Sequence, residues 1–551
     1  MRGLPIGVSD FKRIRRNGSL YVDKTGLIID IVENMDTAAF LFTRPRRFGK
    51  SLNLSMLDAF FNMEYAGNDW FDGLEVSGSE ACRRHRNAYP VVFISLKDVI
   101  VRDRDSFRGS MRSIIERLYG AHPCLCGSSA LDPVLRRRYD AIVGADPGDA
   151  VLEYAVRDLC DMLAAHHGRP VVVLIDEYDN PANRAEGEMR SEVLRFMRTF
   201  VASTLKDNGS MVLGVATGVM QISKESIFGL NNLYLNSVFS QDMSERFGST
   251  EEEVNGIVAE SGRTEMMGAV KEWYDGYRFG DSDIYNPWSI LNCVRRGFEM
   301  RPYWIWEGDP SIILDSMRRT GFESVDVLTR MYNGEPVVTR LRDRAPFDEI
   351  ASVEGLLSLM VASGYLKATR MDDGRFSLSL PNREVRDGLM EQLMSSPWGH
   401  GQMNEVSAAI LKGDPDGLWM FLQDSLDRSV DVSKLRDEYD YGFFALGLLD
   451  CLGSTHFVKP ERGAGKGYAD IVVVPRDGRG ASAVLELKRS RGGSLERAAD
   501  GAIAQIEERR YFADLRGEVL LYGVAFERTD VAVSFERMTM RRHGRRSSDN
   551  G

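Results

Sequence analysis

The sequence predicts an α/β fold that occurs twice along one chain, with a mostly helical stretch between. Three observations carry that reading. Through roughly the first 240 residues, near-continuous runs of Val, Ile and Leu alternate with segments of helical spacing. That is the pattern of parallel strands buried on both faces and covered by helices. From 246 to 400 helical periodicity dominates, and a second alternation of helix and strand begins near 434.

AAFLFT at 38–43 reads as a short strand running into RPRRFGKS. LNLSMLDAFFN then places Leu54, Leu57, Phe60 and Phe61 at helical spacing, so the order is strand, loop, helix. YPVVFISL at 89–96, PVVVLIDEYD at 170–179, MVLGVATG at 211–218 and LYLNSV at 233–238 are the further strands. In the middle region, GLLSLMVASGYLKATRMDDGRFSLSLP reads as a helix and two short strands around the Asp373-Gly374 turn, which fits a winged-helix module or a plain hairpin packed on helices. The last unit reads as helix Tyr439 to Leu452, strand 469–474, strand 482–488, helix Leu495 to Phe512 and strand 519–526. The expected divisions are 1–245, 246–400, 401–535 and a basic tail at 536–551.

Composition excludes several classes. With 551 residues, more than one core is expected. Hydrophobic residues at 43% and charged residues at 27% suit a globular protein, not a disordered or fibrous one. No apolar run is long enough to span a bilayer and the N-terminus lacks a signal-peptide core, so a cytoplasmic location without membrane contact is expected. A net charge of −11 argues against general polyanion binding; a local patch would have to do that work. Arg537, Arg541, Arg542, Arg545 and Arg546 form a basic tail, read as solvated or as an auxiliary nucleic-acid contact. The six cysteines are scattered, against a disulfide framework. His122, Cys124 and Cys126 make a faint metal cluster, but without a second pair they read as loop and core residues.

Gly49, Lys50 and Ser51 carry the end of the phosphate-binding pattern GxxxxGK[ST]. There, backbone N–H groups and a helix N-terminus surround phosphates, a lysine pairs with terminal phosphate oxygens and a hydroxyl ligates Mg²⁺. Arg44 stands at the leading glycine. Further on, a buried strand ends in Asp176-Glu177, where Asp176 would hold Mg²⁺ through water and Glu177 would orient or activate the attacking water. Acids at a strand end can also simply cap a turn. It is the pairing of both motifs, in this order, that favours a nucleotide site. Thr217, ending the next strand, stands where additional-strand ATPases carry a phosphate-sensing residue, or satisfies a strand-end hydrogen bond.

In the last unit, Asp470 lies in one strand and Glu486-Leu487-Lys488 in the next. Residues i and i+2 share a strand face, so Glu486 and Lys488 emerge beside Asp470 if the two strands pair as a hairpin. Two carboxylates then hold Mg²⁺, and Lys488 orients the attacking water and stabilises charge on phosphate. A strand with one solvent face shows the same alternation. Glu438 is a further candidate acid, or an ordinary charge at a helix N-terminus.

LPIGVSDF, YVDKT, FLFTRPRRFGKSLNLSML, VVVLIDEYDNP, TGVMQISKESIFGLNNL and YNPWSIL together resemble the AAA-ATPase-like family fused to a PD-(D/E)XK nuclease domain. In that family Arg-Pro-Arg-Arg before Phe-Gly-Lys-Ser is the usual form, so the resemblance implies a nucleotide loop made by Arg44, Pro45, Arg46, Arg47, Phe48, Gly49, Lys50 and Ser51. It also implies ATP binding and hydrolysis. AIAQIEERRYF is similar to the helix after the catalytic strand of PD-(D/E)XK proteins, which brings in Gln505 and Tyr511. The lead-in to Asp470 is similar to that family's, with Tyr468 where an Arg is usual. No mechanism follows from YVDKT. The implied fold is a P-loop NTPase sheet, a helical or winged-helix-like middle region and a restriction-endonuclease-like α/β domain. The expected activity is an ATPase controlling a Mg²⁺-dependent nuclease on DNA or RNA. The rivals are a non-catalytic ATP switch whose nuclease-like domain grips a partner, and an active nuclease with a structural ATP site.

Overall fold

A computed structural model describes residues 2–540 except 38, 145–147, 221–232, 306–312, 314, 315, 318, 319, 321, 333, 342–351, 395–399, 429–451, 453, 454, 465, 466, 491, 492, 528 and 529. The chain divides into two compact units: Met1–Asp309 with Arg340–Thr369 and Pro381–Glu384, and Pro310–Thr339 with Arg370–Leu380 and Val385–Gly551.

The first unit is organised by five strands, β1 (Ala39–Thr43), β2 (Val91–Ser95), β3 (Val171–Asp176), β4 (Met211–Gly218) and β5 (Leu233–Asn236). They form one sheet in the order β2-β3-β4-β1-β5, and every pairing is parallel. All side chains of β1 and β3 are buried, as their unbroken apolar runs require. The order inserts β4 between β1 and β3, so the ends of the two motif-bearing strands face each other across Thr217.

Helix Lys50–Phe61 follows β1 and is buried nearly all round, beyond the single apolar face its periodicity shows. The cause is a second layer. The N-terminal segment lies over it, with Phe11 N–H donating to Ser55 Oγ at 3.1 Å and Lys12 Nζ paired with Asp58 at 2.8 Å. After β5 the same unit continues through helices Glu251–Glu260, Met267–Tyr274 and Pro287–Arg295, with the short hairpin β6 (Tyr277–Phe279) and β7 (Ser282–Ile284). Asn286 caps the third of these through Trp288 N–H at 2.9 Å, with Pro287 at its first position. The expected helix and two strands around Asp373-Gly374 are Val353–Ala362, β9 (Lys367–Arg370) and β10 (Phe376–Ser379); β10 also pairs antiparallel with β8 (Val337–Thr339).

The second unit carries the sheet β11 (His456–Ala464), β12 (Gly467–Pro475), β13 (Ser482–Arg489), β14 (Gly517–Glu527) and β15 (Asp530–Met540), in that order. Only β13 and β14 are parallel, and helix Leu495–Arg509 makes the crossover between them. The helix stops at Arg509, short of the expected Phe512, because Arg510 turns left-handed at φ 55° and swings Tyr511 and Phe512 into the core. Arg537, counted with the basic tail, instead lies on β15 and pairs with Glu518 at 3.3 Å. The tail from 541, the helix from 439 to 451 and Glu438 lie outside the described residues.

Helix Leu495–Arg509 approaches β14 so closely that a Cβ built on Gly523 would overlap the carbonyl of Ala499 and sit 3.0 Å from Ala502 Cβ. Overpacking of this kind costs about 1–3 kcal/mol. Gly523→Ala is therefore expected to lower the unfolding free energy of the second unit by that amount, seen as a lower denaturation midpoint. An unchanged midpoint in chemical denaturation would show that the helix sits farther from the strand.

Candidate functional site

At the C-terminal end of the first sheet, β1 runs into the loop 44–49 and then the helix that begins at Lys50. Gly49 takes φ 90° and Arg47 φ 146°, both in the left-handed half of backbone space, whereas Arg44 does not. The missing leading glycine thus removes nothing the backbone needs. The Arg44 guanidinium is fully buried and turns into the protein. It donates to the carbonyls of Thr43 and Asn236 at 2.9 and 3.0 Å and to Asn236 Oδ1 at 2.5 Å, between the rings of Phe247 and Phe279. Arg44 supports the loop from beneath. Phe48 is buried against Tyr277 and Phe279, its carbonyl accepts from Gly248 N–H at 2.9 Å, and Trp304 Nε1 donates to the Arg46 carbonyl at 2.8 Å.

Lys50 Nζ donates to the carbonyls of Arg44 and Pro45 at 2.9 and 2.7 Å, spanning the loop. Burial lowers its pKa to about 8, opposed by Glu177, Asp179 and Asp176. Ser51 Oγ donates to Asp176 Oδ2 at 2.7 Å, and Thr217 Oγ1 donates to Asp176 Oδ1 at 2.9 Å. Glu177 holds a left-handed φ of 50°, a strained conformation for a side chain of its size. Burial, reinforced by Asp176, raises its pKa. Arg46, Arg47, Gly49, Lys50, Ser51 and Glu177 line one cleft of about 550 Å³, a size that suits a nucleotide. Pro45, Asp176 and Thr217 are not among the residues that line it.

In the second unit the hairpin forms as the spacing expects: Ile471 faces Leu485 across β12 and β13. Asp470 Oδ2 accepts from Leu487 N–H at 2.6 Å, which holds it against the Glu486 strand. Gln505 Nε2 donates to Glu486 Oε1 and lies 3.3 Å from the Tyr511 hydroxyl. Glu486 is buried, and burial first, then Asp470, raises its pKa to about 8. Its Oε2 has no hydrogen-bond partner among the described residues. Lys488, two residues on and on the same face, is half-exposed and draws that pKa back down. Asp470, Glu486, Lys488 and Gln505 thus meet at one place. The side chain of Tyr468 lies outside the described residues.

Residues 5–228 match the AAA-ATPase-like family, described as a predicted AAA-ATPase, and residues 436–536 match the PD-(D/E)XK nuclease superfamily. An uncharacterized protein in the vnfD 5′ region of Azotobacter chroococcum mcd 1 is 31% identical over 413 residues, covering 71% of this chain and 70% of that protein. The chain belongs to the AAA-ATPase-like family and carries a PD-(D/E)XK nuclease superfamily domain. The Walker-type ATPase PabY2304 of Pyrococcus abyssi is 14% identical over 66% of this chain and 94% of that one, with a TM-score of 0.36.

Several residues of this AAA-ATPase-like unit carry work that spacing alone did not reveal. Asp179 is buried and accepts the N–H groups of Val219 and Met220, both at 2.9 Å, while the Tyr178 hydroxyl donates to the Met220 carbonyl at 2.6 Å. Together they hold the chain leaving β4. Asn180 does the same for the end of β2 through the carbonyls of Leu96 and Lys97. The DEYDN run therefore ties three strand ends together. YVDKT also gains a physical role: Lys24 is clamped by Glu253 at 2.6 Å and the Glu245 carbonyl at 2.7 Å, and Asp23 accepts from Thr25 and Glu75 N–H. No helix among the described residues is long and apolar enough to cross a membrane.

Trp304, which holds the Arg46 carbonyl, is itself set by Glu384. Its backbone N–H donates to Glu384 Oε1 at 2.7 Å, and Ser289 Oγ donates to the same oxygen at 2.8 Å. Burial raises the Glu384 pKa to about 8 against both hydrogen bonds. In an unfolded chain this carboxyl titrates near about 4.3, so between the two values the native state holds the extra proton and stability falls as pH rises. Glu384→Gln is expected to flatten that fall between roughly pH 5 and 8 and to leave the variant more stable than the parent at pH 9. Denaturation profiles across pH with equal slopes for both proteins would remove Glu384 from this role.

Proposed function

We propose that this chain binds ATP with Mg²⁺ in the first unit and hydrolyses it, and that nucleotide state controls Mg²⁺-dependent phosphodiester cleavage of DNA or RNA by the second. The observation that carries the first half is the bonding of both Ser51 and Thr217 to Asp176, beside Lys50 and Glu177. A hydroxyl and a carboxylate held 2.7 Å apart are the oxygen donors a hard cation takes. In the second unit Glu486 Oε2, without a hydrogen-bond partner among the described residues and next to Asp470, supports the same reading.

Each residue then has a task. The Lys50 ammonium exchanges the two loop carbonyls for terminal phosphate oxygens. Ser51 and Asp176 hold Mg²⁺. Glu177, with its raised pKa, takes or orients the proton of the attacking water, and Thr217 reads the phosphate from the strand between. Asp470 and Glu486 hold the second site's Mg²⁺, Gln505 fixes the Glu486 carboxylate, and Lys488 orients water and neutralises charge on the scissile phosphate. At both sites Mg²⁺ supplies Lewis-acid neutralisation of phosphate charge.

Pure protein incubated with Mg²⁺, with and without ATP, on single- and double-stranded DNA and RNA tests this. Lys50→Ala is expected to lose ATP binding; Glu177→Gln is expected to keep binding and lose turnover by about 100-fold or more. Asp470→Ala is expected to abolish cleavage while ATP hydrolysis persists, and Lys488→Ala to bind Mg²⁺ and substrate yet cleave poorly. An Asp470→Ala protein cutting at the parental rate would remove this site from the mechanism. A parent inactive on every substrate would favour a nuclease-like domain that only grips a partner.

A further inference from the structure

Far along the first unit from the nucleotide loop, the 3₁₀ turn Pro123–Leu125 meets the last turn of helix Asp149–His167. The helix ends at Gly168, whose left-handed φ of 64° releases the chain toward β3. Its final two residues are His166 and His167, whose ring centroids lie 4.7 Å apart with planes at 90°. Cys124 Sγ lies 3.8 Å from His167 Nε2. One donor atom from each of Cys124, His166 and His167 falls within 4.8 Å of the others.

Tetrahedral zinc, with bonds of about 2.3 Å to sulfur and 2.0–2.1 Å to nitrogen, sets sulfur and nitrogen ligands about 3.6 Å apart and two nitrogens about 3.4 Å apart. The Cys124–His167 pair, at 3.8 Å, is within about 0.2 Å of that edge, and the widest pair must close by at most about 1.4 Å. The outer shell is also in place. Ser128 Oγ lies 2.8 Å from His166 Nδ1 and fixes the plane of that ring. Two histidines at a helix C-terminus can serve the helix dipole alone, but that role does not ask for a thiol 3.8 Å from one of the rings.

We propose that Cys124, His166 and His167 form a zinc site in the ATPase unit, with water as its fourth ligand. A thiolate with two imidazoles selects a borderline-soft ion over Mg²⁺, so the site is chemically separate from the carboxylate sites at Asp176 and Asp470. Its task is structural. Zinc would staple the loop that follows helix Arg104–Gly120 to the helix that leads directly into β3, at the end of that strand opposite Asp176. Binding deprotonates Cys124, so the released proton makes affinity rise with pH.

The test uses the full chain, stripped with chelator, kept reduced and titrated with Co²⁺ and then Zn²⁺. One equivalent of Co²⁺ is expected to give a thiolate charge-transfer band and tetrahedral visible bands, both displaced by Zn²⁺. Cys124→Ser and His167→Asn are expected to lose the bands and to bind zinc more than tenfold more weakly, while Cys82→Ser keeps both. Carboxylate sites give no thiolate band. Should the ligand variants fail to fold, alkylation of the parent decides the matter: zinc is expected to slow modification of Cys124 at least tenfold. Absence of a thiolate band in the parent, its persistence in Cys124→Ser, or equal alkylation of Cys124 with and without zinc would each overturn the proposal.

Discussion

The carboxylate of Asp176, held at one oxygen by Ser51 and at the other by Thr217, is the interaction on which the first unit depends. It joins the ends of three elements: the helix after β1, the strand β3 and the strand β4. It exists only because the sheet runs β3-β4-β1. Were β1 and β3 neighbours, Thr217 would have no place between them. Hydrogen bonds to a charged acceptor contribute about 1.5–3 kcal/mol each, so the two bonds also fix the carboxylate's orientation in a buried setting where a loose charge would be costly. The neighbouring DEYDN side chains repeat the device, with Asp179 and Asn180 securing the chain beyond β4 and β2.

The nucleotide loop illustrates how a P-loop keeps its shape without its first glycine. A side chain at that position must go somewhere, and Arg44 goes inward to the Asn236 carbonyl and amide and two aromatic rings. Phe48 anchors the far side of the loop. The carbonyls of Arg46 and Phe48 are taken by Trp304 and Gly248, residues of the helical region that follows the sheet. Strain at Arg47 is held by these contacts on either side of it. The second unit applies similar logic on a smaller scale: a buried carboxylate, Glu486, is oriented by an amide from a crossover helix packed so tightly that only glycine fits opposite.

Much of this was legible in the chain. The strands β1 and β3 stand out because burial on both faces demands unbroken apolar runs, and the pair β12 and β13 because Asp470 and Glu486 interrupt such runs at strand-compatible spacing. The edge strands β11 and β15 were not, since HFVKPERGA and DVAVSFERMTM carry charges, and in β11 a proline, where a central strand carries aliphatic residues. Arg44 read as part of the nucleotide loop because the motif gives positions and not directions. Asp179, Lys24 and Glu384 escaped notice because their partners lie 40, 229 and 95 residues away. His166 and His167 escaped it similarly, being brought to Cys124 only by the packing of their helix.

The central claim is that Asp176, positioned by Ser51 and Thr217, is where Mg²⁺ joins the nucleotide. The most direct measurement is ATP affinity with and without Mg²⁺ in Asp176→Asn, whose amide keeps the shape of the side chain but loses the charge. The account predicts that Mg²⁺ strengthens ATP binding to the parent and no longer does so in the variant, while Mg²⁺-free affinity is unchanged. An Asp176→Asn protein whose ATP affinity gains as much from Mg²⁺ as the parent's would contradict it.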